Sequence, residues 1–177
     1  VNAFVHRDYS VYGVVSVCVT DEGISITSPG GFVRGVSLGN LLTVEPRGRN
    51  PLLASIFKRI GLAEKTGRGI DRIFEGSALY GRPWPDYSES TEAFVRVRIP
   101  RANPDIAFFQ RVVEYKKRFS RSPSTVALLV MSALEDRPGM TDADLVRCTG
   151  YSASRIDGQL NALIHEGVIE HLGAGFR

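Results

Sequence analysis

The chain has 177 residues, of which 43% are hydrophobic and 23% charged. These are globular proportions, and they exclude a disordered or low-complexity protein. No apolar run approaches the ~20 residues that span a bilayer, so no membrane partner is expected, and no secretory leader is visible. The two cysteines, Cys18 and Cys148, lack CxxC spacing. That argues against a thiolate zinc site. Two reduced, mostly buried thiols in a cytoplasmic protein are expected instead. The net charge is +3, unevenly spread: residues 1–120 carry 17 Lys/Arg against 12 Asp/Glu, and residues 121–177 carry 5 against 7. A basic N-terminal part favours nucleic acid or nucleotide phosphates as partners. The chain opens at Val1 without an initiator Met and closes just after Gly173-Ala174-Gly175, so it reads as a piece of a longer protein.

In chain order, residues 1–8 read as the end of a helix. Val11–Thr20 is rich in β-branched residues and reads as a strand. Asp21-Glu22-Gly23 is a turn, and Ile24–Thr27 alternates as the second strand of a hairpin. A Gly- and Arg-rich loop follows Ser28-Pro29-Gly30-Gly31. Asn50-Pro51 is a helix start, with Asn50 as cap and Leu52, Leu53, Ile56 and Ile60 at helical spacing. Gly67-Arg68-Gly69 opens another helix, running to about Tyr80. Phe94–Ile99 alternates strictly and reads as a strand. These elements predict a layered α/β (α+β) domain over residues 1–103. Asp105 to about Phe119 reads as a basic connecting helix within a 104–122 linker.

Residues 123–177 predict a small, mostly α-helical domain. Ser124–Glu135 is a strongly apolar helix ended by Arg137-Pro138-Gly139. Thr141 caps a short helix, with Asp144 in the capping-box position. Gly150 suits a left-handed C-cap. Ser152 caps a third helix whose apolar positions (Ala153, Ile156, Leu160, Leu163, Ile164) share one face. Val168–Leu172 then reads as a strand, turned by Gly173-Ala174-Gly175. This order resembles a winged helix-turn-helix. The resemblance implies that the third helix meets the major groove of duplex DNA through Ser152, Ser154, Arg155, Gly158 and Asn161. His165 and His171 read as surface residues rather than metal ligands.

Three stretches of the N-terminal part belong together: Asn2-Ala3-Phe4-Val5-His6-Arg7-Asp8-Tyr9, Ser28-Pro29-Gly30-Gly31-Phe32, and Glu64-Lys65-Thr66-Gly67-Arg68-Gly69-Ile70. Their order and spacing resemble the ATPase-like domain of RecG-helicase-like proteins and bacterial helix-turn-helix regulators. That domain is similar to the GHKL ATPases, such as gyrase B, histidine kinases and MutL. The resemblance implies a nucleotide site with ATP and Mg²⁺ as its ligands. Asn2 would hold the metal against the phosphates, Gly67 and Gly69 would cradle phosphate at a helix start, Lys65 and Arg68 would add charge, and Gly30 and Gly31 would lie beside the adenine. Arg47 and Arg49 are further candidates to meet phosphate. Ser28 stands where GHKL proteins carry the Asp that reads the adenine amino group. The Glu that orients the hydrolytic water falls before Val1, so no catalytic residue is assigned. Asp8 is expected to pair with an arginine, and Tyr9 to pack at the strand start.

Taken as a whole, the pattern resembles the C-terminal half of a bacterial transcriptional regulator, usually preceded by an AlbA-type or Schlafen-like domain. It implies a dimeric DNA-binding protein whose nucleotide-binding-like domain is scaffold or sensor. A GHKL-type ATP-binding or ATP-hydrolysing domain of a RecG-helicase-like protein is the alternative, and a protein-interaction module the third reading.

Overall fold

The computed structural model describes residues 1–45, 48–63 and 69–177. The chain mixes helices with a small antiparallel sheet, and it divides into two compact units. The first comprises residues 1–73 and 83–102, the second residues 74–82 and 103–177.

Unit 1 begins with a short helix, α1 (Asn2–Val5), followed by the hairpin β1 (Ser16–Thr20) and β2 (Gly23–Pro29). Helix α2 (Pro51–Arg59) and the start of α3 (Gly69–Leu79) come next, and β3 (Phe94–Pro100) completes the sheet in the order β1-β2-β3. Both strand pairs are antiparallel, with Cys18 opposite Ser25 and Ile26 opposite Val97. Strand β1 is shorter than the β-branched run Val11–Thr20 predicts. The Arg7 guanidinium donates to the carbonyls of Val11 (3.2 Å) and Gly13 (2.6 Å), and Gly13 sits at φ +142°. These bonds hold residues 11–13 against Arg7 in place of a strand ladder. Helix α2 begins at Pro51, as the asparagine–proline pair predicts, but the Asn50 side chain makes no cap bond. Its stripe Leu52, Ile56 and Ile60 is exposed, Leu52 by 80%, so its apolar spacing does not mark a buried face in this chain.

Unit 2 is helical. It takes in Phe74, Ser77 and Ala78 from the C-terminal part of α3, all buried. Helix α4 (Ile106–Phe119) is capped by the Asp105 carboxylate, which accepts from the Phe108 amide. It buries Phe108, Val112 and Tyr115, so the segment read as a connector contributes to the core. Helix α5 (Thr125–Asp136) is buried from Val126 to Leu134 without a break, as a helix apolar all round must be. Helix α6 (Asp142–Thr149) has the predicted capping box between Thr141 and Asp144, and Gly150 ends it at φ +72°. Those hydrogen bonds, from the Thr141 amide first, pull the Asp144 carboxyl down to about 2. Helix α7 (Ala153–His165) buries Ile156, Leu160 and Leu163, while Ala153, expected on that face, is exposed. The Ser152 hydroxyl makes no cap bond and lies 3.3 Å from the Ser154 hydroxyl.

A two-stranded hairpin closes the chain, β4 (His171–Leu172) with β5 (Gly175–Phe176), shorter than the Val168–Leu172 strand expected. Met140, between α5 and α6, bridges to Phe176: the Phe176 amide donates to the Met140 carbonyl (3.0 Å) and the Gly139 amide to the Phe176 carbonyl (2.8 Å). Gly175 permits that approach, since a side chain there would run into the Gly139 backbone.

Two substitutions test this packing in opposite directions. Gly158 lies exposed within α7, and an added methyl group would meet nothing within 4 Å. Gly158→Ala should therefore stabilise the protein by about 1 kcal/mol, the helix-propensity difference. Gly175→Ala forces the backbones of residues 139 and 175 apart and should cost roughly 1–3 kcal/mol. Urea unfolding midpoints check both; no change, or the same direction in both, refutes the packing described.

Candidate functional site

Strand β2 ends in Ser28 and Pro29, and Gly30 follows it; all three are buried. Gly30 has φ +90°, a conformation glycine adopts at little cost. A side chain on Gly30 would collide with the Arg49 guanidinium and with Asp8. Arg49 occupies that space. It donates to the Gly31 carbonyl (2.9 Å) and lies 3.4 Å from an Asp8 carboxylate oxygen. The expected pairing of Asp8 with an arginine is thus present, and Arg49 is committed inside the protein rather than extended toward a ligand. Its Nη1 is buried and makes no hydrogen bond, so it meets Asp8 through charge alone. Asp8 also accepts from the Ser10 hydroxyl (2.6 Å) and amide (2.9 Å), and these bonds, more than Arg49, hold its carboxyl below the usual range. Tyr9 does not pack inward: it is exposed, with the Arg7 guanidinium 4.6 Å from its ring centre.

Asn50 joins the same cluster. Its side-chain amide donates to the carbonyls of Val5 (2.9 Å) and Arg7 (2.7 Å), which fastens the start of α2 to the end of α1. Sequence reasoning assigned Asn50 to a helix cap. The signal for this other role is its polar amide beside free carbonyls at a helix C-terminus, visible only in three dimensions.

Of the predicted nucleotide-binding residues, Asn2 and Gly69 come together. A side chain at Gly69 would stand 2.5–3.0 Å from the Asn2 carboxamide, so the amide lies across the first residue of α3. An amide N–H row at a helix start with a carboxamide beside it suits a phosphate bridged by Mg²⁺, which keeps water and phosphate ligands and asks little of the protein. Among the described residues no group of three or more His, Cys, Asp or Glu could hold a metal alone. A Mg²⁺ ion would therefore depend on Asn2 together with phosphate oxygens. Asp71 adds a carboxylate in the first turn of α3, which opposes an anion there. Lys65, Gly67, Arg68 and Arg47 lie outside the described residues.

Gly30 and Gly31 do not meet Asn2 in this way. Their amides donate to the carbonyls of Ala93 (2.8 Å) and Glu92 (3.0 Å). The Ser28 hydroxyl donates to the Ala3 carbonyl (2.6 Å). The groups expected to flank an adenine are spent on the protein itself.

The residues expected at DNA form one exposed row in unit 2: Ser152, Ser154, Arg155, Gly158 and Asn161. The Arg155 guanidinium rests 4.7 Å from the Tyr151 ring centre. His165 and His171 are exposed, as expected. Of the cysteines, expected to be mostly buried, Cys148 is half-buried and Cys18 is exposed. Cys18 shares β1 with Ser16 and Thr20 at the sheet edge, where no element among the described residues covers it.

His6 has a pKa below its ordinary value of 6.5, because burial disfavours the cation and Arg49 repels it. The unfolded chain then takes up the proton first as the pH falls. The stability linked to His6 is complete above about 6.5 and is lost as the pH drops through 6.5 toward the lower folded value. His6→Gln should flatten the dependence of stability on pH between about 7.5 and 5.5, where carboxylates stay ionised. Equal slopes for parent and variant, read from denaturant midpoints across that range, would contradict the assignment.

Residues 13–99 match the model of the family described as "Putative ATP-dependent DNA helicase recG C-terminal". Among curated proteins, none matches the chain. Among solved structures, the chain is similar to the DIP2311 protein of Corynebacterium diphtheriae, with a TM-score of 0.80 and 23% identity. That likeness covers 99% of this chain and 37% of the other, so the present chain spans little more than a third of that protein. No helix among the described residues is long and apolar enough to cross a membrane. Over residues 13–99, therefore, the chain is similar to the family so described.

Proposed function

We propose that unit 1 is a nucleotide-binding module of the GHKL type, with ATP and Mg²⁺ as its ligands, and that its affinity resides in the phosphates rather than the base. The observation that carries this reading is the Asn2 carboxamide lying across Gly69 at the start of α3. It is supported by the family match over residues 13–99. Asn2 holds Mg²⁺, and Gly69 presents backbone to phosphate, assisted by Lys65, Gly67 and Arg68. Gly30 and Gly31 shape the neighbouring loop. No general base or nucleophile is assigned, so binding, not hydrolysis, is the proposed activity.

Calorimetric titration of the 177-residue chain with Mg-ATP tests this. Asn2→Ala should weaken binding about tenfold, the loss of one good polar ligand. Gly69→Val, which displaces the Asn2 amide, should weaken it at least as much. Mg-tripolyphosphate should compete, and adenosine should not. Competition by adenosine alone, or affinities untouched by both substitutions, would sink the reading.

A second reading concerns unit 2. We propose that residues 123–177 form a winged helix that binds duplex DNA, making the whole a cytoplasmic regulator. The specific support is the order α5, Met140 segment, α6, α7, β4, β5, with the Met140 segment bridged to Phe176. The exposed row Ser152, Ser154, Arg155, Gly158 and Asn161 then faces base edges, with Arg155 suited to guanine and Asn161 to adenine. Residues 121–177 are net negative, so the phosphate attraction must come from the Lys116, Lys117 and Arg118 cluster and Arg137. In fluorescence anisotropy, Arg155→Ala should cost roughly 1–3 kcal/mol on a preferred duplex and leave the salt slope nearly unchanged. A Lys117→Ala change should weaken all duplexes alike and lower that slope. Binding indifferent to both variants refutes DNA contact through this face.

A further inference from the structure

The two edges of the unit 1 sheet differ. The amide of Gly30 bonds to Ala93 and that of Arg101 to Glu22. In the antiparallel register this points the even-numbered residues of β2 at β3 and the odd-numbered ones at β1. Ser16, Cys18 and Thr20 therefore bond inward to β2, and the backbone groups of Val17 and Val19 point outward. On the far edge, β3 has Arg96 and Arg98 in the outward positions, and both are capped. Asp86 exchanges two backbone bonds of 2.8 Å with Arg98, and the Ser90 hydroxyl bonds to both the amide and the carbonyl of Arg96. Among the described residues nothing caps Val17 or Val19. Both side chains are exposed, by 62% and 72%, on the same apolar face as Ile24.

Edge strands are commonly protected by charge, proline or a bulge. The stretch from Val11 to Thr20 contains no charged residue and no proline. Its sequence, Ser16-Val17-Cys18-Val19-Thr20, also reads nearly the same in both directions. An antiparallel copy centred on Cys18 sets Val17 opposite Val19, Ser16 opposite Thr20, and Cys18 opposite itself.

We propose that β1 is the pairing surface for a second copy of this chain, joined antiparallel about a two-fold axis at Cys18. Val17 and Val19 of each copy exchange backbone hydrogen bonds with Val19 and Val17 of the other. Their side chains form one four-valine cluster on the apolar face. An uncharged strand meets itself without repulsion. The resulting six-stranded sheet ends on a capped β3 at each side, so assembly stops at two copies. The two Cys18 residues fall on a non-hydrogen-bonded pair, with Cα atoms about 4.5 Å apart, inside the roughly 4.4–6.8 Å range a disulfide spans.

Sedimentation velocity and oxidative cross-linking test this on the 177-residue chain. The parent should sediment as a dimer at micromolar concentration. Val17→Lys places like charges in the cluster and should give monomer. Val19→Pro removes an outward amide that β2 does not use, and it too should give monomer while far-UV circular dichroism stays unchanged. In a Cys148→Ser background, diamide should link the two copies through Cys18, and Cys18→Ser should abolish the link. A monomeric parent overturns the proposal. So does a dimer that survives Val17→Lys and Val19→Pro, or one that Cys18 fails to cross-link.

Discussion

The candidate site rests on one placement: the Arg49 guanidinium fills the space left by the missing side chain of Gly30. From there it faces Asp8, after the end of α1, and bonds to Gly31, after the end of β2. Its sequence neighbour Asn50 bonds to Val5 and Arg7 at the start of α2. Three segments distant in sequence are thereby held by two adjacent side chains. A guanidinium with few water contacts must find carbonyl or carboxylate partners, and glycine at position 30 is what admits it. Burial, and after it the same guanidinium, lower the pKa of His6.

This commitment also shapes what the site offers a ligand. The Arg49 Nη2, the Ser28 hydroxyl and the amides of Gly30 and Gly31 bond to the protein backbone. They stand where the resemblance to GHKL proteins would put adenine and phosphate contacts. Asn2 is exposed, and its carboxamide lies against Gly69 at the start of α3. Under the proposed nucleotide-binding reading, the module grips the charged end of a nucleotide, because the donors that would read the base are already occupied.

Unit 2 follows a different logic. Its stability comes from an apolar helix buried from Val126 to Leu134, around which amphipathic helices lay one face each. The face of α7 that this packing leaves outside is polar and small, and Arg155 is steadied there over Tyr151. At the far end of α7 the Glu166 carboxylate accepts from the Tyr115 hydroxyl (2.9 Å) and pairs with Arg121. The C-terminal end of α7 is therefore tied to α4, while its N-terminal, polar end stays exposed.

Local chemistry was legible without coordinates. Gly150 as a left-handed stop, the Thr141–Asp144 capping box, Pro51 at a helix start and the alternation of Phe94–Ile99 each act over six residues or fewer, so spacing alone determined them. The helix start at Gly69 was likewise readable, because a glycine-rich stretch breaks the preceding segment. Tertiary structure alone decided which groups are spent on the protein. Asn50 reads as a cap until Val5 and Arg7 claim its amide, and Gly30 as a ligand contact until Arg49 fills its place. The run Val11–Thr20 reads as one strand until Arg7 takes two of its carbonyls. Cys18 reads as buried until, among the described residues, no element covers it. Burial and hydrogen-bond partners across tens of residues depend on where the chain returns, and no local pattern encodes that return.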